Sequence, residues 1–416
     1  MNRSIEYTII GAIADVKGGK RLRQGKVVQD YRTDHPYLRV VDFREDGFDP
    51  SNVKYITEDA FSDVSRYTIT SDDIYISIAG TIGRVGIIPP SFSGSNLTEN
   101  AAKITAINCE FDKQFLLYYL RSEFGQAEIS SKIVGTSQPK LALFRIKEIK
   151  VPRFSTLHQQ KIARILSAYD NLIENNLRRI KILEEMAKTI YEEWFVKFRF
   201  PGHEKVKMVE SELGLIPEGW EITTLGKSSK ITMGQSPKSE YYNTEKKGIP
   251  FHQGVRDFGS RFPTHTTYCT VVNRIAEKGD ILLSVRAPVG RINIAPCKLI
   301  IGRGLSAITH KDSLQSFLHY QLRNIFNEED SMGSGAIFNA VTKEDIFKIK
   351  LLKPHNDMDK QFNVTIKAWD DQIENLHSKI ENLKKTRDLL LPRLISGEID
   401  VENLDIRKGD LDEPDI

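Results

Sequence analysis

One pattern, written twice, limits what this chain can fold into. Between residues 159 and 198, apolar or aromatic side chains fall at Ile162, Leu166, Tyr169, Ile173, Ile180, Leu183, Ala187, Ile190 and Trp194, in steps of four and three, with Asn176 filling the one polar place. Between residues 359 and 397 the series is Phe362, Ile366, Trp369, Ile373, Leu376, Ile380, Leu383, Arg387, Leu390 and Leu394. Each member lies 200 residues after its counterpart, and the flanks agree: Asp370 follows Asp170, Glu374 follows Glu174 and Asn375 follows Asn175 by the same interval. An apolar residue every ~3.5 positions draws a narrow stripe along an α-helix, and another helix of the same kind covers such a stripe. At ~1.5 Å per residue, each copy makes a helix on the order of 60 Å long. The shared register and flanks favour a duplicated element whose copies pair with each other over two unrelated amphipathic helices.

The stretches between these helices repeat as well. In residues 1–152, short β-like runs at 37–41, 74–78, 85–88 and 102–107 precede an expected helix over 113–124. In residues 217–356, Ile281 to Arg291 mirrors Ile74 to Arg84, and Phe317-Leu318 on an expected helix over 316–326 mirrors Phe115-Leu116. Gly335 mirrors Gly135 at the interval of 200. The interval drifts between the globular stretches and is constant in the helices. This order reads as a tandem duplication: a first domain at 1–152, a connector helix at 153–199, a linker at 200–216, a second domain at 217–356, a second connector at 357–397 and an acidic tail at 398–416. The expected fold is α+β: two similar domains separated by two long helices in an antiparallel coiled coil, with an internal pseudo-two-fold. Such a pair would act as a ruler, and duplex DNA is the leading target for two related domains held apart.

Composition narrows the class. The net charge is +3, but after Gly397 eight acidic residues face only Arg407 and Lys408, so the rest of the chain carries about +9. That balance suits DNA without demanding it. The alternative of a scaffold whose helices hold an assembly without touching DNA stays open on charge alone. Cys109, Cys269 and Cys297 are isolated and odd in number, which suggests neither a disulfide framework nor a zinc site. No apolar run approaches the ~18 residues of a membrane span, and the N-terminal residues lack a secretory apolar stretch. The expected location is the cytoplasm.

Catalytic signatures are missing. Gly226-Lys227-Ser228 has the ending of a phosphate-binding loop, but residue 221, where the earlier glycine belongs, is Glu221. Ile88-Pro89-Pro90-Ser91 lacks the polar first residue and the stacking aromatic of an amino-methyltransferase motif. His252 and His265 have no companions at metal-ligand spacing.

Three further stretches carry a resemblance. Gly214-Leu215-Ile216-Pro217-Glu218-Gly219-Trp220 opens the second half; Met233-Gly234-Gln235-Ser236-Pro237-Lys238-Ser239-Glu240-Tyr241-Tyr242 follows; Leu389-Leu390-Leu391-Pro392-Arg393-Leu394-Ile395-Ser396-Gly397-Glu398-Ile399 stands at the end of the second helix. With the duplication, nearly the whole chain resembles the specificity (S) subunit of a type I restriction-modification system. The resemblance implies a non-catalytic reader of double-stranded DNA, with one target recognition domain per half of a bipartite sequence. It implies helices that set the spacer and dock two methyltransferase (M) subunits, and motor/nuclease (R) subunits that join the full complex. S-adenosylmethionine, ATP and Mg would then belong to those partners, with no cofactor or metal in this chain and no membrane.

Base edges are read by hydrogen bonds, Arg being suited to guanine and Asn or Gln to adenine, while phosphate contacts set position. In the first domain the candidates are the basic turn Lys17, Lys20, Arg21 and Arg23, then Arg39, Arg84, and the loop Thr136, Ser137, Gln138 and Lys140. In the second they are Gln235, Ser236, Lys238, Tyr241, Tyr242, Gln253, Arg256, Arg286, Arg291 and Arg303.

Overall fold

The computed structural model describes residues 5–44, 47–135, 137–326, 341–355, 357–402 and 404. Thr136, Gly335 and the tail from 405 onward lie outside the described residues. Two compact units emerge: residues 1–175 with 380–416, and residues 176–379. Both long helices, Thr156–Tyr191 and Met358–Ile395, are divided between the units.

In the first unit, a four-stranded antiparallel sheet runs in the order Asp15–Gly18, Ala101–Thr105, Ile74–Ser77, Val85–Gly86. A second sheet is ordered Lys54–Tyr55, Pro36–Leu38, Ser95–Leu97, Thr68–Ile69, and its central pair is parallel. Ile74 and Ile76 are fully buried and share a core with Phe115, Leu116 and Leu120 of helix Lys113–Arg121. Ile162, Ala163 and Leu166 of the first long helix enter that core beside Leu394 and Ile395 of the second, so here the early turns of one helix meet the late turns of the other. The pairing is therefore antiparallel. Ile173 and Ile380 are buried along the same stripe, and Tyr169, Leu383 and Leu390 are half-buried.

The second unit repeats this plan. Its sheet is ordered Ser229–Met233, Leu305–His310, Ile281–Ser284, Ile292–Ile294, with antiparallel pairs throughout. A second sheet again contains one parallel pair, between Ile249–His252 and Leu299–Ile301. Helix Gln315–Ile325 supplies Phe317 and Tyr320 to an aromatic core shared with Tyr191, Phe195, Trp220 and Phe362. Phe362 meets Phe195 edge to face at 5.3 Å between ring centroids; burying each such ring contributes about 1.5–3 kcal/mol. Ile366, Ile373, Leu376, Asn176 and Ile180 are buried, and Leu183, Ile190 and Trp369 are half-buried. Both stripes thus face inward along their length.

Local departures from the sequence reading have local causes. The expected helix over 113–124 stops at Ser122, whose hydroxyl accepts from Gly125 N and caps a second helix, Glu123–Ser131. The strand expected over 37–41 ends at Leu38, because Arg39 N donates to Asp42 Oδ2 at 2.7 Å and turns Val40–Asp42 into a single helical turn. The linker folds into a hairpin, Met208–Ser211 against Gly214–Pro217.

Candidate nucleic-acid interface

The loops at one end of each paired-sheet core are held by the same set of backbone bonds. In the first unit Gly19 N donates to Ala101 O at 3.0 Å and Lys20 N to Leu97 O at 2.9 Å. Thr98 N donates to Leu38 O at 3.0 Å and Ile78 N to Asn100 O at 2.8 Å. In the second unit Gly234 N donates to Leu305 O at 2.9 Å and Gln235 N to Ile301 O at 3.0 Å. Gly302 N donates to His252 O at 2.8 Å and Val285 N to Gly304 O at 2.9 Å. These bonds make Lys20 the counterpart of Gln235, and Arg39 the counterpart of Gln253. The glycines are needed for the approach: a Cβ on Gly19 would stand 2.0 Å from Thr98 O, and one on Gly234 would stand 2.1 Å from Gly302 O.

The frame carries different chemistry in the two units. In the first, Arg21, Arg23 and Arg39 border a groove of about 780 Å³ together with Thr98, Glu99 and Asn100. Arg21 pairs with Glu99 at 3.0 Å and Arg23 with Asp63 at 2.9 Å, and both arginines are largely exposed. Arg39 is less free, because its Nη2 donates to Asp42 at 3.0 Å and to Asn52 O at 2.8 Å. Lys17 is exposed near Asp15, and Lys20 is exposed with its Nζ above the Tyr67 ring.

In the second unit the basic cluster gives way to amides. Ser236 Oγ donates to Gln253 Oε1 at 2.8 Å and accepts from Arg303 N at 3.2 Å, which brings Gln235, Ser236, Gln253 and Arg303 together. Arg256 is exposed on the turn Val255–Asp257 that follows Gln253. Lys238 is exposed beside Glu240. Tyr241 is exposed, but Tyr242 stacks on Phe251 at 4.6 Å and its hydroxyl donates to Pro237 O, so its ring holds the loop in place.

A second feature is also duplicated. Ser77 Oγ donates to Thr81 O at 2.5 Å and accepts from Arg84 N at 2.9 Å; Ser284 Oγ donates to Pro288 O at 2.7 Å and accepts from Arg291 N at 2.8 Å. Gly83 and Gly290 close these turns with φ of +90° and +88°, in the left-handed region that favours glycine. Arg84 Nη1 donates to Phe43 O at 2.6 Å and is half-buried, as is its counterpart Arg291, whereas Arg286, earlier on the second turn, is exposed. Ser137, Gln138 and Lys140 are exposed on a separate loop, and Leu141 N returns the chain to Ile78 O at 3.0 Å, at the foot of the glycine turn.

Sequence reasoning missed Thr98, Glu99 and Asn100, which lie far along the chain from the basic turn they face and form no motif. It also missed that His252 Nε2 and His265 Nδ1 lie 2.9 Å apart, with Cys297 Sγ 3.5 Å from His265 Nε2. Burial pushes the His252 imidazole down to about 4, and that of His265 also falls, so both rings are neutral near pH 7. Among the described residues no group of three or more His, Cys, Asp or Glu is placed to hold a metal ion. The glycine of Gly226-Lys227-Ser228 serves packing, since a Cβ there would stand 2.5 Å from the Phe347 ring. No described helix is long and apolar enough to cross a membrane.

Comparison with known proteins places this frame. Residues 3–185 and 217–385 match the family model of the type I restriction modification DNA specificity domain. A Methanocaldococcus jannaschii protein assigned to the MjaX type I restriction enzyme as its specificity subunit is 34% identical over 403 residues, covering 93% of this chain and 91% of its own. The MjaIX specificity subunit of the same organism is 28% identical over 363 residues, covering 84% and 82%. The crystal structure of the type I restriction-modification S subunit from M. genitalium superposes with a TM-score of 0.59 at 18% identity, covering 94% of this chain and 96% of that one, a likeness of fold.

Proposed function

Since the chain belongs to the family of type I restriction-modification DNA specificity subunits, we propose that it reads a bipartite duplex target, one half-site with each domain. The observation that carries this reading is the twofold occurrence of one loop frame, holding Lys20, Arg21 and Arg39 in one unit and Gln235, Ser236 and Gln253 in the other. A common scaffold with unlike side chains is what two detectors of unlike sequence require. The domains are taken as residues 1–152 and 217–356, with the helices between and after them setting the spacer. Base contacts are assigned to the exposed Gln235, Gln253, Arg303, Arg286, Arg21 and Arg23, and phosphate contacts to Lys17, Lys20, Lys140 and Lys238. Thr136 is kept as a candidate outside the described residues.

The chain itself is the non-catalytic specificity component of its system. Adenine methylation with S-adenosylmethionine is ascribed to two M subunits docked on the long helices, and ATP- and Mg-dependent cleavage to R subunits, all in the cytoplasm. Gel retardation on duplex DNA, with and without co-expressed M subunits and at two salt concentrations, tests the reading. Binding that weakens steeply as salt rises supports a DNA reader. Absence of binding in both preparations favours a scaffold.

A further inference from the structure

Each long helix carries an aspartate at the same place in its series, and arginines of different origin answer the two. In the first unit Asp170 accepts from Arg387 Nη1 at 2.5 Å and from Tyr118 Oη at 2.6 Å. Arg387 stands on the facing helix, at a stripe position. In the second unit Asp370, 200 residues further on, accepts from Ser316 Oγ at 2.6 Å and pairs with Arg261. The residue corresponding to Arg387 is Ala187, which is fully buried and carries no charge. The cation comes instead from the globular part of the unit. Arg261 is 6% exposed, and its Nη1 lies 3.3 Å from Glu184 Oε1 on the first helix while Nη2 meets Asp370 on the second. Its backbone is fixed from the sheet side, since Ile294 N donates to Arg261 O at 2.8 Å and Asn293 holds Gly259 through both N–H and C=O. Tyr320, matching Tyr118 in the short helix, lies in the same field of Arg261, Asp370 and Glu184.

We propose that Arg261 is the positioning residue that fixes the second domain to the helical pair, supplying from the domain the cation that Arg387 supplies from within the helices of the first unit. Ala187 is packed in the aromatic core, so the helices themselves offer Asp370 no cation until the domain supplies one. Without Arg261, Glu184 and Asp370 form a partly buried pair of like charges that keeps the Ser316 hydrogen bond but has lost its cation, a strongly destabilising arrangement. The two domains therefore differ as exchangeable parts. A replacement first domain meets a stripe already closed by Arg387, whereas a replacement second domain must bring its own arginine to this place.

The test uses the full chain co-expressed with its M subunit, for Arg261→Ala and for Arg261→Ala combined with Ala187→Arg. The added arginine stands where Arg387, which reaches Asp170, stands in the other copy. Arg261→Ala lowers the unfolding midpoint by on the order of 10 °C, and the second substitution restores at least half of that loss. If Arg261→Ala yields no soluble protein, recovery of soluble double variant is the supporting result and continued insolubility overturns the proposal. A second readout, which rests on the bipartite reading, separates positioning from stability: the share of methylated sites with the native spacer falls in both variants, because neither ties the domain to the helices. An unchanged midpoint in Arg261→Ala, no recovery in the double variant, or native spacing in both overturns the proposal. A wild-type methylation map without two half-sites defeats the bipartite reading instead and leaves the midpoint comparison standing.

Discussion

Ser236 Oγ donates to Gln253 Oε1 at 2.8 Å, joining the loop after strand Ser229–Met233 to the loop after Ile249–His252. The bond fixes which way the amide of the exposed Gln253 points, with its Oε1 engaged and its Nε2 as the group proposed to donate to a base edge. A side chain oriented by its neighbour loses less on binding. Gln253→Ala is expected to weaken binding by ~1–3 kcal/mol, with specificity relaxed in the second half-site alone. Ser236→Ala, which frees the amide without removing it, should cost about 1 kcal/mol. Competition binding with half-site variants measures both, and loss of specificity in both half-sites would refute the assignment.

Arg286 is exposed on the second serine-glycine turn. If it reads a base, Arg286→Ala costs ~1–3 kcal/mol and relaxes one position. If it touches only phosphate, the loss is uniform across sequences and the salt dependence becomes shallower. A titration at two salt concentrations against matched and mismatched duplexes separates the cases, and unchanged affinity removes Arg286 from the interface.

The stripe repeats every ~3.5 residues, so an insertion of seven residues keeps its register. Placed in both long helices, it lengthens the pair by on the order of 10 Å, about three base pairs of duplex. The expected outcome is a longer spacer between unchanged half-sites, read by mapping methylated adenines. An unchanged spacer counts against the helices as the ruler.

Acid should strike the second unit through its buried imidazoles. His252 is fully buried and pushed down to about 4, and His319 lies well below its ordinary value for the same reason. An unfolded histidine takes its proton near pH ~6.5. Because the folded pKa is depressed, the contribution is complete above ~6.5 and is lost as pH falls from there towards 4. For His252 alone this amounts to about 3 kcal/mol. The midpoint of His252→Gln should fall less between pH 7.5 and 4.5 than that of the wild type; equal falls would show that His252 does not carry the effect.

Much of this architecture could be read before any coordinates. The stripe was legible because a helix forces its period onto the sequence, and all its named members turn inward. The turns at Ser77 and Ser284 were legible because each needs a glycine at a fixed offset. Arg261 was not, since the carboxylates it joins lie 77 and 109 residues away in the chain and nothing local distinguishes it from a surface arginine. The same holds for His252 and His265, which meet only because strand Ile249–His252 pairs antiparallel with Tyr268–Cys269 and so runs beside the loop that carries His265. Ser122 shows the limit at short range: its apolar neighbours continued the helical period, and one side-chain cap overrode them.

The central claim is that residues 1–152 and 217–356 each read one half of the target independently, and one measurement addresses it most directly. Methylated adenines are mapped across a host genome carrying the chain with its M subunit, before and after the second domain is exchanged, arginine included, for that of a relative. The account predicts a two-part sequence around a fixed non-specific gap, of which one part changes and the other part and the gap persist. A continuous site, or a change in both parts at once, would contradict it.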